Sequence, residues 1–157
     1  MGTNPNVSVG DKVPTFKLES DDAGTVASKD LKGKPYVLYF YPKDNTPGCT
    51  TQACDFRDAI DVFNDLGYPV FGVSPDSIAS HEKFRTKHEL NFTLLSDPDH
   101  SLAEKLGVWR EKKNYGKTYM GIVRSTFVVD DGGKITHIFD NIRAKGSVDR
   151  LVEALQA

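Results

Sequence analysis

The stretch that most constrains this chain is Tyr36 to Phe56, YVLYFYPKDNTPGCTTQACDF. An apolar run from Tyr36 to Tyr41 reads as a buried strand. Pro42, which lacks a backbone donor, ends it. Lys43 to Gly48 is a polar loop rich in turn formers. After Cys49 the pattern becomes helical. Ala53, Phe56, Ile60 and Phe63 recur at helix spacing, and Ala59 and Leu66 widen the apolar stripe. Cys49 therefore sits where a strand hands over to the first turn of a helix.

That position has chemical consequences. The first helical turn carries unpaired N–H groups and the positive end of the helix dipole, and both favour a thiolate over a thiol. A free cysteine, with a pKa of about 8.5, is mostly protonated near neutrality. A helix N-terminus and a nearby cation bring such a thiol well below 7. The plainer reading is a small buried hydrophobe, which is what many cytosolic cysteines are. Pro42, Thr46 and Cys49 form Pro-x-x-x-Thr-x-x-Cys, with the Thr46 hydroxyl one loop turn before the thiol. Pro47 and Gly48 shape the loop so that backbone N–H groups face the same point.

The segment FYPKDNTPGCTTQACDFRD resembles the active-site segment of peroxiredoxins. The spacing of the second cysteine is similar to that of the bacterioferritin comigratory protein, or peroxiredoxin Q, subfamily. The resemblance extends from GDKVPTFKL at Gly10 to RSTFVVDDGGKI at Arg124. It implies a thioredoxin-like fold and peroxide reduction. By the same resemblance Cys49 is the peroxidatic cysteine and Cys54 the resolving one, with Pro42, Thr46 and Arg124 completing the pocket. Gln52 stands where the resemblance leads one to expect Glu. Its amide keeps hydrogen-bonding capacity and loses the charge. No metal or organic cofactor is implied. The reductant implied is a thioredoxin-like dithiol, and the implied working form is a monomer.

Composition agrees with a soluble globular chain. The 157 residues fit one domain, are 38% hydrophobic and 27% charged, and carry a formal charge of −2. That balance gives no sign of nucleic-acid or membrane binding. No apolar run approaches the roughly 20 residues of a membrane helix. The opening MGTNPNVSVGDK lacks a basic-then-apolar signal pattern, so the expected compartment is the cytoplasm. Two cysteines do not make a disulfide scaffold. Four histidines, His81, His88, His100 and His137, show no ligand spacing around them, so no metal is expected.

The rest of the chain reads as alternating elements. Residues 1 to 10 are expected to be a loose lead-in, and Thr15 to Glu19 a short strand with Phe16 and Leu18 on one face. Leu31 anchors a turn over 28 to 33. The main helix runs to about Leu66, closed by Gly67. Strands follow at Val70 to Ser74, Phe92 to Leu95, Arg124 to Val129 and Lys134 to Phe139, with a hairpin turn at Asp131-Gly132-Gly133. Ser77 caps a surface helix to about Leu90, on which His81 and His88 read as structural. A short helix ends near Leu106. Asn114 to Gly121 reads as a loop, and its lysines (Lys112 and Lys113 just before it, Lys117 within) as solvated or as a docking patch for a reductant. Gly146-Ser147 opens a last helix that buries Val148, Leu151, Val152 and Leu155. The expected architecture is α/β, a mixed sheet covered by helices.

Cys49 and Cys54 are five residues apart. In a regular helix their Cα atoms would lie about 8.6 Å apart on different faces, whereas a disulfide needs less than about 7 Å. If they pair, the first helical turns must unwind. Two other readings use the same thiols. A thioredoxin-like disulfide oxidoreductase would want Cys-x-x-Cys, and four residues separate these cysteines. A redox sensor or holdase would use the disulfide to switch a binding surface.

Overall fold

The structure, a computed structural model, describes residues 4–157. Its centre is β3 (Tyr36–Phe40), every residue of which is buried. The strand's two faces feed two cores, as a period of two requires. Tyr36, Leu38 and Phe40 pack with Leu95, Leu102 and Phe127 on one side. Val37, Tyr39 and the following Tyr41 pack with Phe56, Phe84 and Leu151 on the other. A continuous apolar run, rather than an alternating one, is what a strand covered on both faces needs.

Around β3 lie β1 (Lys17–Ser20), β2 (Thr25–Ala27), β4 (Val70–Ser74), β5 (Thr93–Ser96), β8 (Ser125–Val129) and β9 (Ile135–Phe139). They form one seven-stranded sheet in the order β2-β1-β5-β4-β3-β8-β9. β3, β4 and β5 run parallel, and β8 runs antiparallel to β3. The helices α1 (Pro47–Leu66), α2 (Ile78–His88), α3 (Ser101–Lys105) and α4 (Ser147–Gln156) cover the faces. The mixed sheet flanked by helices is the one expected.

Most boundaries follow local chemistry. Pro47 occupies the first position of α1, where its missing N–H is no loss. Gly67 ends that helix in the left-handed region, at φ 83°. Ser77 caps α2 by accepting from the Ser80 N–H. α2 stops two residues short of Leu90, with Glu89 left-handed.

Three expectations are corrected. Asn114 to Gly121 is not a loop: β6 (Trp109–Asn114) pairs with β7 (Lys117–Ile122) in a separate two-stranded ribbon. Its side chains are mostly exposed, so no apolar alternation announces it. The turn residues Tyr115 and Gly116 both have positive φ, 52° and 77°, as a two-residue primed turn requires. The lead-in is held from Asn4 onward. Asn4 Nδ2 donates to the Leu106 carbonyl at 2.8 Å, and Asn6 Nδ2 donates to the Glu104 carbonyl at 2.8 Å. Residues 1 to 3 of that lead-in lie outside the described residues. Finally, α2 is not a purely surface helix, since His81 and Phe84 are fully buried.

Gly72 on β4 faces Tyr39 across the parallel register. A Cβ at Gly72 would lie 2.9 Å from the Tyr39 ring and hydroxyl. That ring is stacked on Phe56 at 4.4 Å and has nowhere to go. Gly72→Ala therefore destabilises by about 1–3 kcal/mol through overpacking, read as a lower urea midpoint with an unchanged slope.

Candidate active site

The register between β3 and β8 builds the site. Phe40, at the end of β3, pairs with Ser125, at the start of β8. Arg124 immediately precedes Ser125, so it arrives beside the loop that leaves β3. A separation of 75 residues in sequence becomes a contact of 3.4 Å between Arg124 Nη2 and Cys49 Sγ. Gly48 makes room for it: a Cβ there would come within 3.2 Å of the same Nη2.

Cys49 is the third residue of α1 and is buried. Its sulfur sits in the first helical turn, where N–H groups have no intrahelical acceptor and the helix dipole is positive. Thr46 stands at the N-cap without a side-chain capping bond. Its hydroxyl donates to the Lys43 carbonyl at 2.8 Å, which leaves oxygen lone pairs free to accept. Pro42 is half-buried at the start of the loop.

Gln52, fully buried, holds Arg124 from behind. Gln52 Oε1 accepts from Arg124 Nη1 at 2.7 Å, and Gln52 Nε2 donates to Ser147 Oγ at 3.3 Å. Ser147 Oγ in turn donates to the Ala144 carbonyl at 2.8 Å. Every donor in this chain has one acceptor, so the amide orientation is fixed. Arg124 is thus aimed by a neutral group, and the residue that sequence reading singled out for its lost charge is the arginine's anchor. Ser147 was not singled out, because a serine opening a helix reads only as a cap.

Other charges surround the pair. Lys112 on β6 donates to the Ile122 carbonyl at 2.8 Å. Its pKa is lowered by burial first and by the charge of Arg124 second. It is therefore part of the cationic surroundings of the site, not a freely solvated lysine. Tyr39, beneath α1, is pushed well above the ordinary phenol range, by burial first and then by Cys49. Its hydroxyl is buried without a hydrogen-bond partner among the described residues. Cys54 is half-buried further along α1, and both cysteines are free thiols. Cys49 and Arg124 are brought into contact, Thr46 stands at the N-cap of the same helix, and Cys54 lies five residues further along that intact helix.

A thiol at a helix N-terminus lies against a guanidinium, and comparison with known proteins gives the chain a family. The AhpC/TSA family model matches residues 9–138. The chain belongs to that family, and it is a peroxiredoxin. Peroxiredoxin Bcp of Bacillus subtilis is 51% identical over 150 residues, covering 96% of this chain and 94% of that one. Peroxiredoxin Bcp of Escherichia coli K12 is 44% identical over 153 residues, covering 98% and 97%. Among solved structures, Xanthomonas campestris peroxiredoxin Q superposes with a TM-score of 0.85 at 36% identity, covering 90% of this chain and 89% of that one. The bacterioferritin comigratory protein of the same organism, solved as trapped intermediate and ligand complexes bearing on its alkyl peroxide reduction, gives a TM-score of 0.85 at 35% identity, covering 90% of both chains. The thioredoxin-like fold of these peroxiredoxins is the one found here. No helix among the described residues is long and apolar enough to cross a membrane.

Proposed function

We propose that this peroxiredoxin is a thiol peroxidase that reduces hydrogen peroxide and organic hydroperoxides through Cys49 and Cys54. The observation that carries the reading is the 3.4 Å approach of Arg124 Nη2 to Cys49 Sγ at the start of α1. The Cys49 thiolate attacks one peroxide oxygen, the O–O bond breaks, and the other oxygen leaves as water or an alcohol once protonated. Arg124, Thr46 and the loop N–H groups hold the two oxygens and stabilise the charge that develops on the departing one. Pro42 limits water around the sulfur. Cys49 is left as a sulfenic acid.

Cys54 then condenses with that sulfenic acid, releasing water and forming the Cys49–Cys54 disulfide. Both cysteines lie inside α1, so the first turns of the helix unwind for the sulfurs to meet. A thioredoxin-like dithiol reduces the disulfide and restores both thiols. The chain needs no metal or organic cofactor for these steps. The same reading takes the working form as a one-domain cytoplasmic monomer, testable by ultracentrifugation and cell fractionation.

Reduced protein mixed with hydrogen peroxide tests the chemistry. The parent turns over when a thioredoxin and its reductase are supplied. Cys54→Ser consumes one equivalent and stops, with Cys49 trapped as a sulfenic acid by dimedone. The disulfide form of the parent shows less far-UV helical dichroism than the reduced form. Equal helicity in both states, or continued turnover of Cys54→Ser with thioredoxin alone, would sink the resolving role.

A further inference from the structure

A second buried polar cluster lies beside the cysteine loop and has no part in the steps above. His81, on α2, has no exposed surface. Its Nδ1 is 2.7 Å from Asp44 Oδ2, and its Nε2 is 2.9 Å from the Leu95 carbonyl oxygen. A carboxylate and a carbonyl both accept, so each ring nitrogen has to bring its own proton. That geometry fits an imidazolium. Asp44 also accepts from the Tyr41 hydroxyl at 2.6 Å and from Ser80 Oγ at 2.8 Å. Its main-chain N–H donates to Asp76 Oδ2 at 2.7 Å. The parallel pairing of β3 with β4 brings these two loops side by side.

Asp44, Asp76 and His81 are close enough together to suggest a cation site. The hydrogen bonds argue otherwise. Both imidazole nitrogens are committed to acceptors, so the ring offers no lone pair to a metal. The cluster is a clamp closed on one loop residue. That residue lies two positions before Thr46 and five before Cys49.

We infer that His81, acting through Asp44, is a positioning residue for Cys49. Its imidazolium holds the loop from Pro42 to Thr46 where the first turn of α1 meets Arg124. This rests on the reading of Cys49 as the peroxide-reactive thiol. A pH signature follows. Burial alone pulls the His81 pKa down. The hydrogen bond and charge of Asp44, then the Leu95 carbonyl and Asp76, outweigh it, and the net direction is up. The groups facing the ring are Asp44 and Tyr41 from the loop that follows β3, Asp76 from the β4–α2 loop, and the Leu95 carbonyl from β5. Burial holds Tyr41 well above the ordinary phenol range, so it remains a donor. A raised histidine stabilises its folded surroundings fully below about 6.5, its ordinary value. That contribution is lost as pH climbs through the folded value. The clamp therefore opens on the alkaline side.

The test pairs nitrogen-15 NMR of His81 in reduced protein, from pH 5.5 to 9.5, with two rate measurements. Stopped-flow gives the rate with hydrogen peroxide, and iodoacetamide gives alkylation of Cys49. Across the His81 midpoint the peroxide rate of the parent falls about tenfold from its plateau, as the loop drifts from its aligned position. Alkylation rises, because a buried thiol becomes accessible. Opposite signs separate loop release from loss of the thiolate. His81→Asn starts about tenfold low with peroxide and shows no midpoint, and Asp44→Asn behaves alike. A neutral ring at pH 6, or parent rates that ignore the midpoint, overturns the inference. So does a His81→Asn variant that keeps the alkaline decline. Were these variants to misfold, the parent's own profile decides. If the parent consumes no peroxide while alkylation still follows the midpoint, the peroxidase reading fails and the clamp stands.

Discussion

Cys49→Ser reduces the rate of hydrogen peroxide consumption by at least about 10⁴-fold, to the level of buffer. Losses of this order are what removal of an attacking group produces elsewhere. A serine hydroxyl at this point keeps the hydrogen bond from Arg124 and fits the same buried space. It does not ionise near neutrality and is a far weaker nucleophile toward an O–O bond. The change therefore separates chemistry from packing. Thermal unfolding of Cys49→Ser stays within a few degrees of the parent, a shift of about 1 kcal/mol at most, while the fast phase in Trp109 fluorescence disappears. Trp109 is half-buried and stacked on His100 with ring centroids 3.8 Å apart, which makes it a usable reporter. Peroxide consumption unchanged in Cys49→Ser would return both thiols to core packing or to a binding switch.

The sequence displayed some of this architecture openly and hid the rest, for physical reasons. β3 was legible because a strand covered on both faces must be apolar throughout. α1 was legible from its stripe and from Gly67, which takes the left-handed conformation that ends a helix cheaply. The β6–β7 ribbon was hidden because only its base, Trp109 and Ile122, packs on the core, so no periodicity betrays it, and only the Tyr115-Gly116 turn marks it. His81 was read as structural on a surface helix, but it is buried and paired. A histidine reads as polar even on the buried side of a helix, beside Phe84, and its partner Asp44 lies 37 positions away. The meeting of Arg124 with Cys49 depends on an antiparallel register that single residues do not encode. There the resemblance of the Arg-Ser-Thr-Phe segment supplied what spacing could not.

Arg124→Ala slows the reaction of reduced protein with peroxide by about 10² to 10³-fold, the range seen when one donor to a developing oxyanion is removed. The expectation comes from how Arg124 is held. None of the ion pairs among the described residues involves it. Its anchor is Gln52 Oε1, a neutral acceptor at 2.7 Å, and its other contact is the Cys49 sulfur at 3.4 Å. The guanidinium charge is thus undivided, with no carboxylate competing for it. A planar fork also binds at two points at once, which an ammonium does not. Arg124→Lys should therefore recover only part of the loss, because the charge returns and the geometry does not. Iodoacetamide, which develops no oxyanion, should lose much less than peroxide in both variants. Equal losses with the two reagents would mean that Arg124 acts only on the thiol. A peroxide rate matching the parent in Arg124→Ala would remove it from the site altogether.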